Sequence, residues 1–526
     1  MIDEPARPLA GTLLPVVDAR PPRWVKVIDQ TRCIGCHACT TACKSENEVP
    51  IGVTRTYVKA VDVGVFPVAR RAFQVTRCNQ CSDAPCVAAC PTAAMFRRPD
   101  GIVDFDKSAC IGCKACIAAC PYDAIFINPA DHSAEKCNFC AHRIDGGLEP
   151  ACVVVCPTQA ILVGDLNDPS SRVAAIVERQ PVAVRRPEKE TRPGLFYQGA
   201  TQATLDPLAA RRPAGGTFMW SEQIDGDGLV NSGHPGAWNS SAAAVLAYDV
   251  PHRAPWDWRV SLYTWTKALA VGAYLVPLLL VLAGLIAPSS VLWAWFSPVA
   301  AGAFLAITGL VLIWDLEHPA RFVKIFLRPQ WRSWLVRGAV FISGFAIVLV
   351  AHFAASVAGA AGVAVPADLP TWLAVAGAPL AVMTAVYTAY LFAQAKARDL
   401  WQNPLLPAHL VVGAVLAGAA LALPVAWATE PGAQGPLAAF VAAASAVHLL
   451  LVAGEVTLTH PTAHAALAVH ELSRGRYAEF FWLGVGLVAV GLAAPLIGPA
   501  AGAFVLVGLL AHEHVYVQAG QSVPLA

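Results

Sequence analysis

The sequence predicts two unlike halves: an α+β domain organised around cysteines, followed by an all-α bundle of membrane-spanning helices. All 16 cysteines lie within the first 156 of the 526 residues. After residue 256 the chain is dominated by long apolar stretches, and over the whole chain 56% of residues are hydrophobic but only 14% charged. We therefore expect a cysteine-bearing domain at residues 1–183, a joining segment at 184–256 and a transmembrane bundle at 257–526. The net charge of +1 gives no reason to expect binding to nucleic acid.

The cysteines form four sets of four with regular spacing. The sets are Cys33-x2-Cys36-x2-Cys39-x3-Cys43, Cys78-x2-Cys81-x4-Cys86-x3-Cys90, Cys110-x2-Cys113-x2-Cys116-x3-Cys120 and Cys137-x2-Cys140-x11-Cys152-x3-Cys156. In two-cluster bacterial ferredoxins three close thiolates hold one [4Fe–4S] cluster, and a fourth, followed by proline, reaches the other. Pro91, Pro121 and Pro157 follow the last cysteine of three sets, whereas Lys44 takes that place in the first. The sets predict four [4Fe–4S] clusters and hence a path for electrons.

The same domain contains an internal repeat. Cys33-Ile34-Gly35-Cys36-His37-Ala38-Cys39 recurs as Cys110-Ile111-Gly112-Cys113-Lys114-Ala115-Cys116. The repeat predicts a duplicated ferredoxin-like α+β module held largely by its clusters. Zinc is an alternative metal because two Cys-x2-Cys pairs can form a zinc site, but runs of four cysteines that end in Cys-Pro favour iron–sulfur clusters.

The joining segment at 184–256 is rich in Arg, Pro, Gly and Ser and has little hydrophobic periodicity. It predicts either a linker or an ordered arm that lies on a partner, since aromatic residues recur where a spacer needs none. These aromatic residues are Phe196, Tyr197, Phe218, Trp220 and Trp238.

Eight apolar stretches follow, each near the ~20 residues that a helix needs to cross a bilayer. They are Ala268–Ala287, Val291–Trp314, Ala339–Val357, Trp372–Ala393, Leu410–Trp427, Leu437–Val456, Phe480–Leu496 and Ala500–Val517. Only a Gly498-Pro499 break separates the last two, so seven spans are an alternative to about eight. Aromatic residues before the first span predict an interfacial girdle; they are Trp256, Trp258, Tyr263 and Trp265.

Positive charge in the second half is confined to alternate loops. Twelve Lys and Arg residues follow position 252, and with eight spans all of them fall on the side of the N-terminal domain. They are Arg253, Arg259, Lys267, Arg321, Lys324, Arg328, Arg332, Arg337, Lys396, Arg398, Arg474 and Arg476. Positively charged loops stay in the cytoplasm. We therefore expect a multi-pass protein of the inner (plasma) membrane with its cluster domain and both termini in the cytoplasm.

Two stretches carry a resemblance to a known family. Residues 24–180 resemble the four-cluster electron-transfer subunit of complex iron–sulfur molybdoenzymes, the group of dimethyl sulfoxide, polysulfide and tetrathionate reductases and related formate and sulfite dehydrogenases. The motif at 314–322, Trp-Asp-Leu-Glu-His-Pro-Ala-Arg-Phe, with Arg-Ser-Trp-Leu at 332–335, resembles the membrane anchor of the polysulfide-reductase type. Such anchors bind quinone and usually lack haem. The two parts are usually separate polypeptides, and here they look fused.

The resemblance also implies how the cysteines combine across the sets. Cys33, Cys36 and Cys39 would join Cys156, and Cys137, Cys140 and Cys152 would join Cys43. Likewise Cys78, Cys81 and Cys86 would join Cys120, and Cys110, Cys113 and Cys116 would join Cys90.

A quinone site requires hydrogen-bonding groups in an apolar cleft near the last cluster, and polar residues embedded in spans are costly enough to mark function. Asp315, His318 and Arg321 lie at the cytoplasmic end of the second span, and Glu455 lies at that end of the sixth. We expect these four residues to bind menaquinone or ubiquinone in a pocket between the two spans, with Asp315, His318 and Glu455 bonding the ring or relaying protons. The alternative is structural pairing with Arg321 or Arg328.

Other embedded polar residues are His352, His409, His448, His512, Glu513 and His514. Two histidines on facing helices could ligate a b-type haem, but the motif resembles the haem-free type of anchor, so we expect no haem.

We recognise no motif for substrate chemistry, so the catalytic centre is expected on a partner, a molybdenum or tungsten bis-pterin subunit docked on the cluster domain. The chain is thus predicted to connect that partner, of sulfite dehydrogenase or sulfur-compound and dimethyl sulfoxide reductase type, with the quinone pool. One alternative is a subunit of an ion-translocating, quinone-linked complex, which would require charged residues buried in mid-span. Another is a membrane scaffold in which the clusters only stabilise the fold and do not transfer electrons.

Overall fold

The computed structural model describes residues 21–211, 243–366 and 368–525. An α+β domain comes first and a helical bundle second, which confirms the predicted fold class. The strands are β1 (Trp24–Asp29), β2 (Thr56–Val63), β3 (Arg70–Arg77), β4 (Met95–Arg97), β5 (Val103–Phe105), β6 (Ile125–Ile127), β7 (Ala134–Lys136), β8 (Ile161–Asp165), β9 (Val182–Ala183), β10 (Leu195–Gln198) and β11 (Val245–Tyr248). The short helices among them are α1 (Ala38–Glu46), α2 (Pro85–Ala89), α3 (Ala115–Ala119), α4 (Ala141–Asp145), α5 (Ala151–Val154), α6 (Arg172–Arg179) and α7 (Gln202–Leu205).

The strands form two larger sheets and two small hairpins. One sheet has the order β8-β1-β10-β9, in which β1 and β10 are parallel and the other pairs antiparallel. The second has the antiparallel order β11-β2-β3. The hairpins β4-β5 and β6-β7 follow the second and third cysteine sets.

A proline that follows a cysteine determines where two of the short helices end. Helices α2 and α3 end one residue before Cys90-Pro91 and Cys120-Pro121, because a residue that precedes proline is driven to extended backbone angles. No proline follows Cys43, so α1 continues to Glu46. Its Lys44, which breaks the sequence pattern, donates hydrogen bonds to the carbonyls of Pro50 at 2.8 Å and Val53 at 2.5 Å.

The described parts of the joining segment are built into this domain. Strand β10 pairs with β1, and β11 pairs with β2. Lys189 also forms an ion pair with Asp399, between two of the membrane helices. These parts are therefore ordered structure, whereas Phe218, Trp220 and Trp238 lie outside the described residues.

The second half has eight helices that are long and apolar enough to cross a membrane, counted in the described part of the chain. We number them span 1 to span 8: Trp258–Leu282, Leu292–Trp314, Trp334–Ala360, Leu369–Gln394, Leu406–Thr429, Pro431–Thr457, Ala478–Ile497 and Pro499–Ser522. Spans 2 and 7 contain local changes of winding, a π-helical start at Leu292–Phe296 and a 3₁₀ turn at Gly491–Ala493. Outside the spans lie 3₁₀ turns at Pro187–Lys189, Pro319–Arg321 and Asp399–Gln402 and short helices at Lys324–Leu327 and Ala463–Ser473.

Spans 7 and 8 are separate helices rather than one. The chain reverses at Gly498, and Val488 of span 7 packs in one apolar cluster with Val505 and Leu509 of span 8. The described part of the chain therefore has eight spans rather than seven. The tail after span 8 returns to the cluster domain, where Arg185 Nη2 donates a 2.9 Å hydrogen bond to the carbonyl of Leu525.

Span 1 starts ten residues earlier than its apolar stretch predicts, because Asp257 caps it by accepting a hydrogen bond from the backbone N–H of Arg259. The expected aromatic girdle is thereby split. Trp258 is half exposed, but Trp256 and Tyr263 are buried in the core. Lys267 is also fully buried, well inside the span rather than at its entrance.

Span 1 is the centre of the bundle, and its contact with span 5 is a close crossing of backbones. A Cβ atom added at Gly272 would lie 1.9 Å from the carbonyl oxygen of Ala414 and 2.5 Å from the backbone nitrogen of Gly418. Small residues allow such close approach in membranes, where van der Waals packing is a main source of helix association.

We expect Gly272→Ala to destabilise the protein by at least about 1–3 kcal/mol, since backbone atoms cannot move aside as a flexible side chain does. The same substitution at Gly302 in span 2, where nothing lies within 4 Å of the added atom, is the matched control. Thermal unfolding in detergent, followed by size-exclusion chromatography, measures the difference. Equal midpoints for the two variants would contradict the close crossing.

Candidate metal centres and their contact with the membrane helices

The structure collects the sixteen cysteines into four groups of four. Three groups each line one cavity: Cys33, Cys36, Cys39 and Cys156; Cys78, Cys81, Cys86 and Cys120; and Cys90, Cys110, Cys113 and Cys116. In the fourth group Cys43 interacts electrostatically with Cys137, Cys140 and Cys152, and Asn47 Nδ2 lies 3.6 Å from the sulfurs of both Cys43 and Cys140. These are the same four combinations that the family resemblance implies.

The groups follow one another in a row, and we name them by their position in it. Cys36 of the outer group is exposed, which marks the end that faces solvent. Electrostatic contacts join Cys39 to Cys152 and Cys78 to Cys137. A further contact joins Cys86 to Cys116. The order is therefore outer group (with Cys36), second group (with Cys43), third group (with Cys78) and inner group (with Cys113).

Backbone N–H groups point at several of the sulfurs. Ala160 donates to Cys156 Sγ at 3.2 Å, Met95 donates to Cys90 Sγ at 3.4 Å, and Gly112 and Ala134 both donate to Cys110 Sγ at 3.4 Å. Hydrogen bonds to sulfur stabilise the negative charge of cluster ligands and help set their potentials. Four thiols in a mostly apolar cavity, with such donors, fit a [4Fe–4S] cluster.

Buried cations surround the second group. Arg77 Nη1 donates to Cys152 Sγ at 2.9 Å, and Lys26 Nζ lies 3.9 Å from the same sulfur. Burial alone would raise the pKa of the Cys152 thiol, but these two cations lower the pKa to about 7. The protein thus favours a thiolate there even in a site shielded from water.

The inner group lies directly against the membrane helices. The backbone N–H groups of Glu317 and His318 donate to the carbonyls of Gly112 at 3.4 Å and Ile111 at 3.2 Å. Gly112 has a φ of +71°, and a Cβ atom there would lie 2.3 Å from the Cβ of Glu317. Glycine is therefore required both by the backbone angle and by the close approach. The loop that carries Cys110 and Cys113 is in contact with the end of span 2.

Asp315 is buried where this loop meets span 1. Its Oδ1 lies 3.6 Å from Lys114 Nζ and 3.6 Å from Arg259 Nε, and among the described residues it has no hydrogen-bond donor. Burial raises the pKa of Asp315 to about 6, although the two cations act against this. Lys114 is also paired with Glu317 at 3.0 Å.

His318 and Arg321, the other predicted residues of this segment, contact the cluster domain. His318 Nε2 lies 3.2 Å from Ser133 Oγ. Arg321 Nη1 donates to the carbonyls of Lys107 and Cys110, both at 3.0 Å. Arg321 thus holds the loop of the inner group against the end of span 2, and the His318 side chain contacts the adjacent β6-β7 hairpin at Ser133.

Glu455, the predicted residue of span 6, is buried and accepts a 3.3 Å hydrogen bond from Asn403 Nδ2. Tyrosines of spans 1 and 8 lie near these carboxyl groups. Tyr263 interacts electrostatically with Asp315 and Glu513, while Tyr516 interacts with Glu455 and Glu513. Asp315 and Glu455 thus have neighbours on spans 1 and 8, which sequence reasoning did not foresee.

A stack of aromatic rings extends from the inner group into the bundle. Trp256 Nε1 donates to the carbonyl of Cys113 at 3.2 Å. Its ring stacks on Trp401 at 5.4 Å and Phe392 at 5.9 Å between centroids, and Trp401 Nε1 lies 3.4 Å from the carbonyl of Tyr516. The position of Trp256 just before span 1 suggested only an interfacial anchor.

These features define a class: an iron–sulfur electron-transfer protein whose clusters are joined to its own membrane anchor. Sequence comparison agrees with this class. Residues 24–45 match the 4Fe-4S binding domain, residues 69–166 the 4Fe-4S dicluster domain, and residues 249–524 the polysulphide reductase, NrfD family. The last match covers just over half of the chain, which therefore belongs to the NrfD family, as a multi-pass membrane protein fused to a 4Fe–4S cluster domain.

Relatives of the cluster half include subunits of sulfur-compound and sulfoxide reductases. One, from the tetrathionate reductase of Salmonella typhimurium, is 41% identical over 210 residues, which is 38% of this chain and 80% of that protein. Another, from the polysulfide reductase of Wolinella succinogenes, is 42% identical over 177 residues, 33% of this chain and 93% of that protein. The iron-sulfur subunit of a putative dimethyl sulfoxide reductase from Halobacterium salinarum is 39% identical over 259 residues, 44% of this chain and 95% of that protein.

We expect Arg321→Met to loosen the loop of the inner group, because two hydrogen bonds from a charged donor, each worth about 1.5–3 kcal/mol, are lost. Hydrogen–deuterium exchange of residues 107–116 should become faster while the iron content is unchanged. Arg337→Met is the control, since Arg337 donates to the carbonyl of Trp331 within the membrane half itself. Unchanged exchange in Arg321→Met would show that Arg321 does not hold the loop.

Proposed function

We propose that this chain passes electrons through four [4Fe–4S] clusters between a separate catalytic subunit and a quinone in the membrane. The observation that carries the proposal is the contact at Gly112, where the loop of the inner cysteine group bonds to the end of span 2. Each cluster, when bound, accepts or releases one electron. The protein supplies the thiolates, the donors to sulfur and the fixed row of sites.

All sixteen cysteines are assigned as cluster ligands in this proposal, four to each group. A [4Fe–4S] cluster takes four cysteine thiolates, so the number of cysteines in each group supports the assignment. The contacts between neighbouring groups support a continuous path from the exposed outer group to the inner one. Anaerobically prepared protein should then contain about sixteen iron atoms per chain.

At the quinone end, we assign proton transfer and hydrogen bonding to Asp315 and Glu455. Both are buried carboxyl groups at the end of the bundle that faces the inner group. Asp315 Oδ1 has no hydrogen-bond donor among the described residues and lies 3.6 Å from the side-chain nitrogens of Lys114 and Arg259. Glu455 retains one oxygen beyond the one that Asn403 contacts. Reduction of a quinone consumes two protons, and such groups can supply them.

His318 and Arg321 belong to the same site in the proposal, in a positioning role. Their contacts with Ser133 and with the carbonyls of Lys107 and Cys110 hold the inner group next to Asp315. A displaced loop would lengthen the path for the electron, so these residues affect the rate without contacting the quinone.

The cytoplasm is the proposed location of the cluster domain. The positively charged loop after span 2 contacts this domain through Arg321 and Lys324, and the tail after span 8 reaches it through Leu525. The domain and the charged loops thus share one side of the membrane, and the preference of positive loops for the cytoplasm supports the assignment.

A molybdenum or tungsten bis-pterin subunit is the proposed partner, and sulfur oxyanions, polysulfide or sulfoxides are the proposed substrate class. The names of the relatives support that class. The outer group also carries an apolar surface where a partner could dock: Ile34 beside Cys33 is 57% exposed, and Val154 near Cys156 is 59% exposed.

Ion translocation is a second candidate, favoured by one observation. Lys267 and Glu513 are charged residues well inside spans 1 and 8, and they interact with each other. Lys267 Nζ donates to the carbonyl of Ala385 at 3.0 Å and bonds Thr388. A buried ionisable pair of this kind is what a proton path through the membrane would require.

We expect Asp315→Asn and Glu455→Gln each to lower the rate of cluster reduction by a quinol analogue by roughly 10²-fold or more, because a proton-transfer group is lost. Iron content should remain at about sixteen per chain. The rate is measured as the loss of cluster absorbance in stopped flow.

Glu430→Gln is the matched control for this experiment. Glu430 lies between spans 5 and 6 on the opposite side of the bundle, where it accepts a hydrogen bond from Leu292. Wild-type rates in both Asp315→Asn and Glu455→Gln, with full iron content, would remove these residues from the quinone site.

The orientation is tested with reporters fused after residue 526. A green fluorescent protein fused there should fluoresce, and alkaline phosphatase should be inactive, because the tail lies with the positive loops. A fusion in the loop between spans 1 and 2, at Pro288, should give the reverse pattern. Active phosphatase at the C-terminal fusion would place the cluster domain outside the cytoplasm.

A further inference from the structure

Three histidines from three different spans meet inside the bundle. They are His409 of span 5, His448 of span 6 and His512 of span 8, and one ring nitrogen from each lies within 4.8 Å of the others. The ring centroids form a nearly equilateral triangle with separations of 4.7, 5.0 and 5.0 Å. We call this arrangement the histidine triangle.

We propose that the histidine triangle binds a transition-metal ion, zinc or copper, in addition to the clusters. Imidazole nitrogens suit both metals, and three imidazoles are a known ligand set for zinc. With metal–nitrogen distances of about 2.0–2.1 Å, two nitrogens of a tetrahedral site lie about 3.3–3.4 Å apart. His409 Nε2 and His448 Nδ1 are already 3.2 Å apart, and the ligand nitrogen of His512, within 4.8 Å of both, would have to move closer by a rotation of its ring.

A hydrogen bond between His409 and His448 does not account for the third ring. That bond uses two of the six ring nitrogens, and His512, 6% exposed, lies against both other rings. Imidazole rings buried among apolar helices are costly unless their nitrogens are occupied. A metal ion would occupy one nitrogen of each ring at once.

The same geometry argues against haem at this place. The iron of a bis-histidine haem, and the plane of its macrocycle, would have to lie between two opposed nitrogens. His409 Nε2 and His448 Nδ1 are in direct hydrogen-bond contact, and the third ring fills the side of the pair. Three convergent donors instead fit a single small ion.

Two of the spans that carry the histidine triangle also carry a buried carboxyl group. Glu513 is next to His512 in span 8. Glu455 lies seven residues after His448, on the same face of span 6 and about 10 Å along it. The ring of Tyr516 is 6.2 Å from that of His512, and Tyr516 interacts electrostatically with both Glu455 and Glu513. The ion would tie spans 5, 6 and 8 together at one depth.

The test is metal analysis of the full-length protein, purified anaerobically in detergent and equilibrated with micromolar Zn²⁺ or Cu⁺ before desalting. We expect about one zinc or copper ion per polypeptide in addition to the iron. His448→Ala and His512→Ala should each lose most of that ion and keep the wild-type iron content, which also reports that the cluster domain has folded. His352→Ala is the matched control, because His352 is a buried histidine of span 3 whose ring centroid lies 4.5 Å from that of Trp293, away from the triangle.

X-ray absorption at the edge of the bound metal gives a second measurement on the unmodified protein. Nitrogen ligation with imidazole scattering would support the proposal. Sulfur ligation would mean that the ion sits on cysteines, and it would overturn the proposal. The proposal is equally overturned if the wild type binds no such ion or if both histidine variants retain it.

Discussion

The contact between the inner cysteine loop and the end of span 2 is the constraint on which the rest of the structure depends. An electron tunnels efficiently only over short distances, so the distance between the loop and the anchor has to be short and fixed. Two backbone hydrogen bonds, the close approach of Gly112 to Glu317 and the guanidinium of Arg321 fix that distance. The indole of Trp256 then continues the contact into the bundle. Each of these groups acts on the backbone of the loop, which leaves the cysteine side chains free to hold the cluster.

Charge is the second constraint, since four groups of four cysteines, as thiolates, would place much negative charge in one small domain. The protein balances it with cations that are themselves buried. Arg77 and Lys26 lie at Cys152, and Lys136 is buried at the carbonyl of Cys137. Removing one cation from such a site would leave uncompensated charge in a medium of low dielectric constant. The cations therefore belong to the machinery of the clusters as much as the ligands do.

The features that sequence reasoning predicted are the local ones. Cysteine spacing and hydropathy are short-range patterns, so the four sets of cysteines and the apolar stretches could be identified directly, whereas the combination of cysteines across the sets was implied by the family resemblance. The start of span 1 was misplaced because Asp257, a single capping residue, extends the helix into less apolar sequence. Strands β10 and β11 could not be foreseen, since each pairs with a strand more than 160 residues away.

The candidate site shows the same division. Asp315 and Glu455 could be found as polar residues near the ends of apolar stretches, but their surroundings depend on how the helices pack. Tyr263 of span 1 and Tyr516 of span 8 interact electrostatically with these carboxyl groups, although their spans are distant in sequence. The meeting of His409, His448 and His512 likewise depends on three spans that are distant in sequence.

The bond between Arg185 and Leu525 ties the timing of assembly to protein synthesis. Leu525 is made only after span 8, whereas the cysteine-bearing domain leaves the ribosome first and can fold while the helices are still entering the bilayer. Because the two halves form one polypeptide, the cluster domain is made before the helices that it contacts, and the two parts are joined without the encounter of two separate proteins.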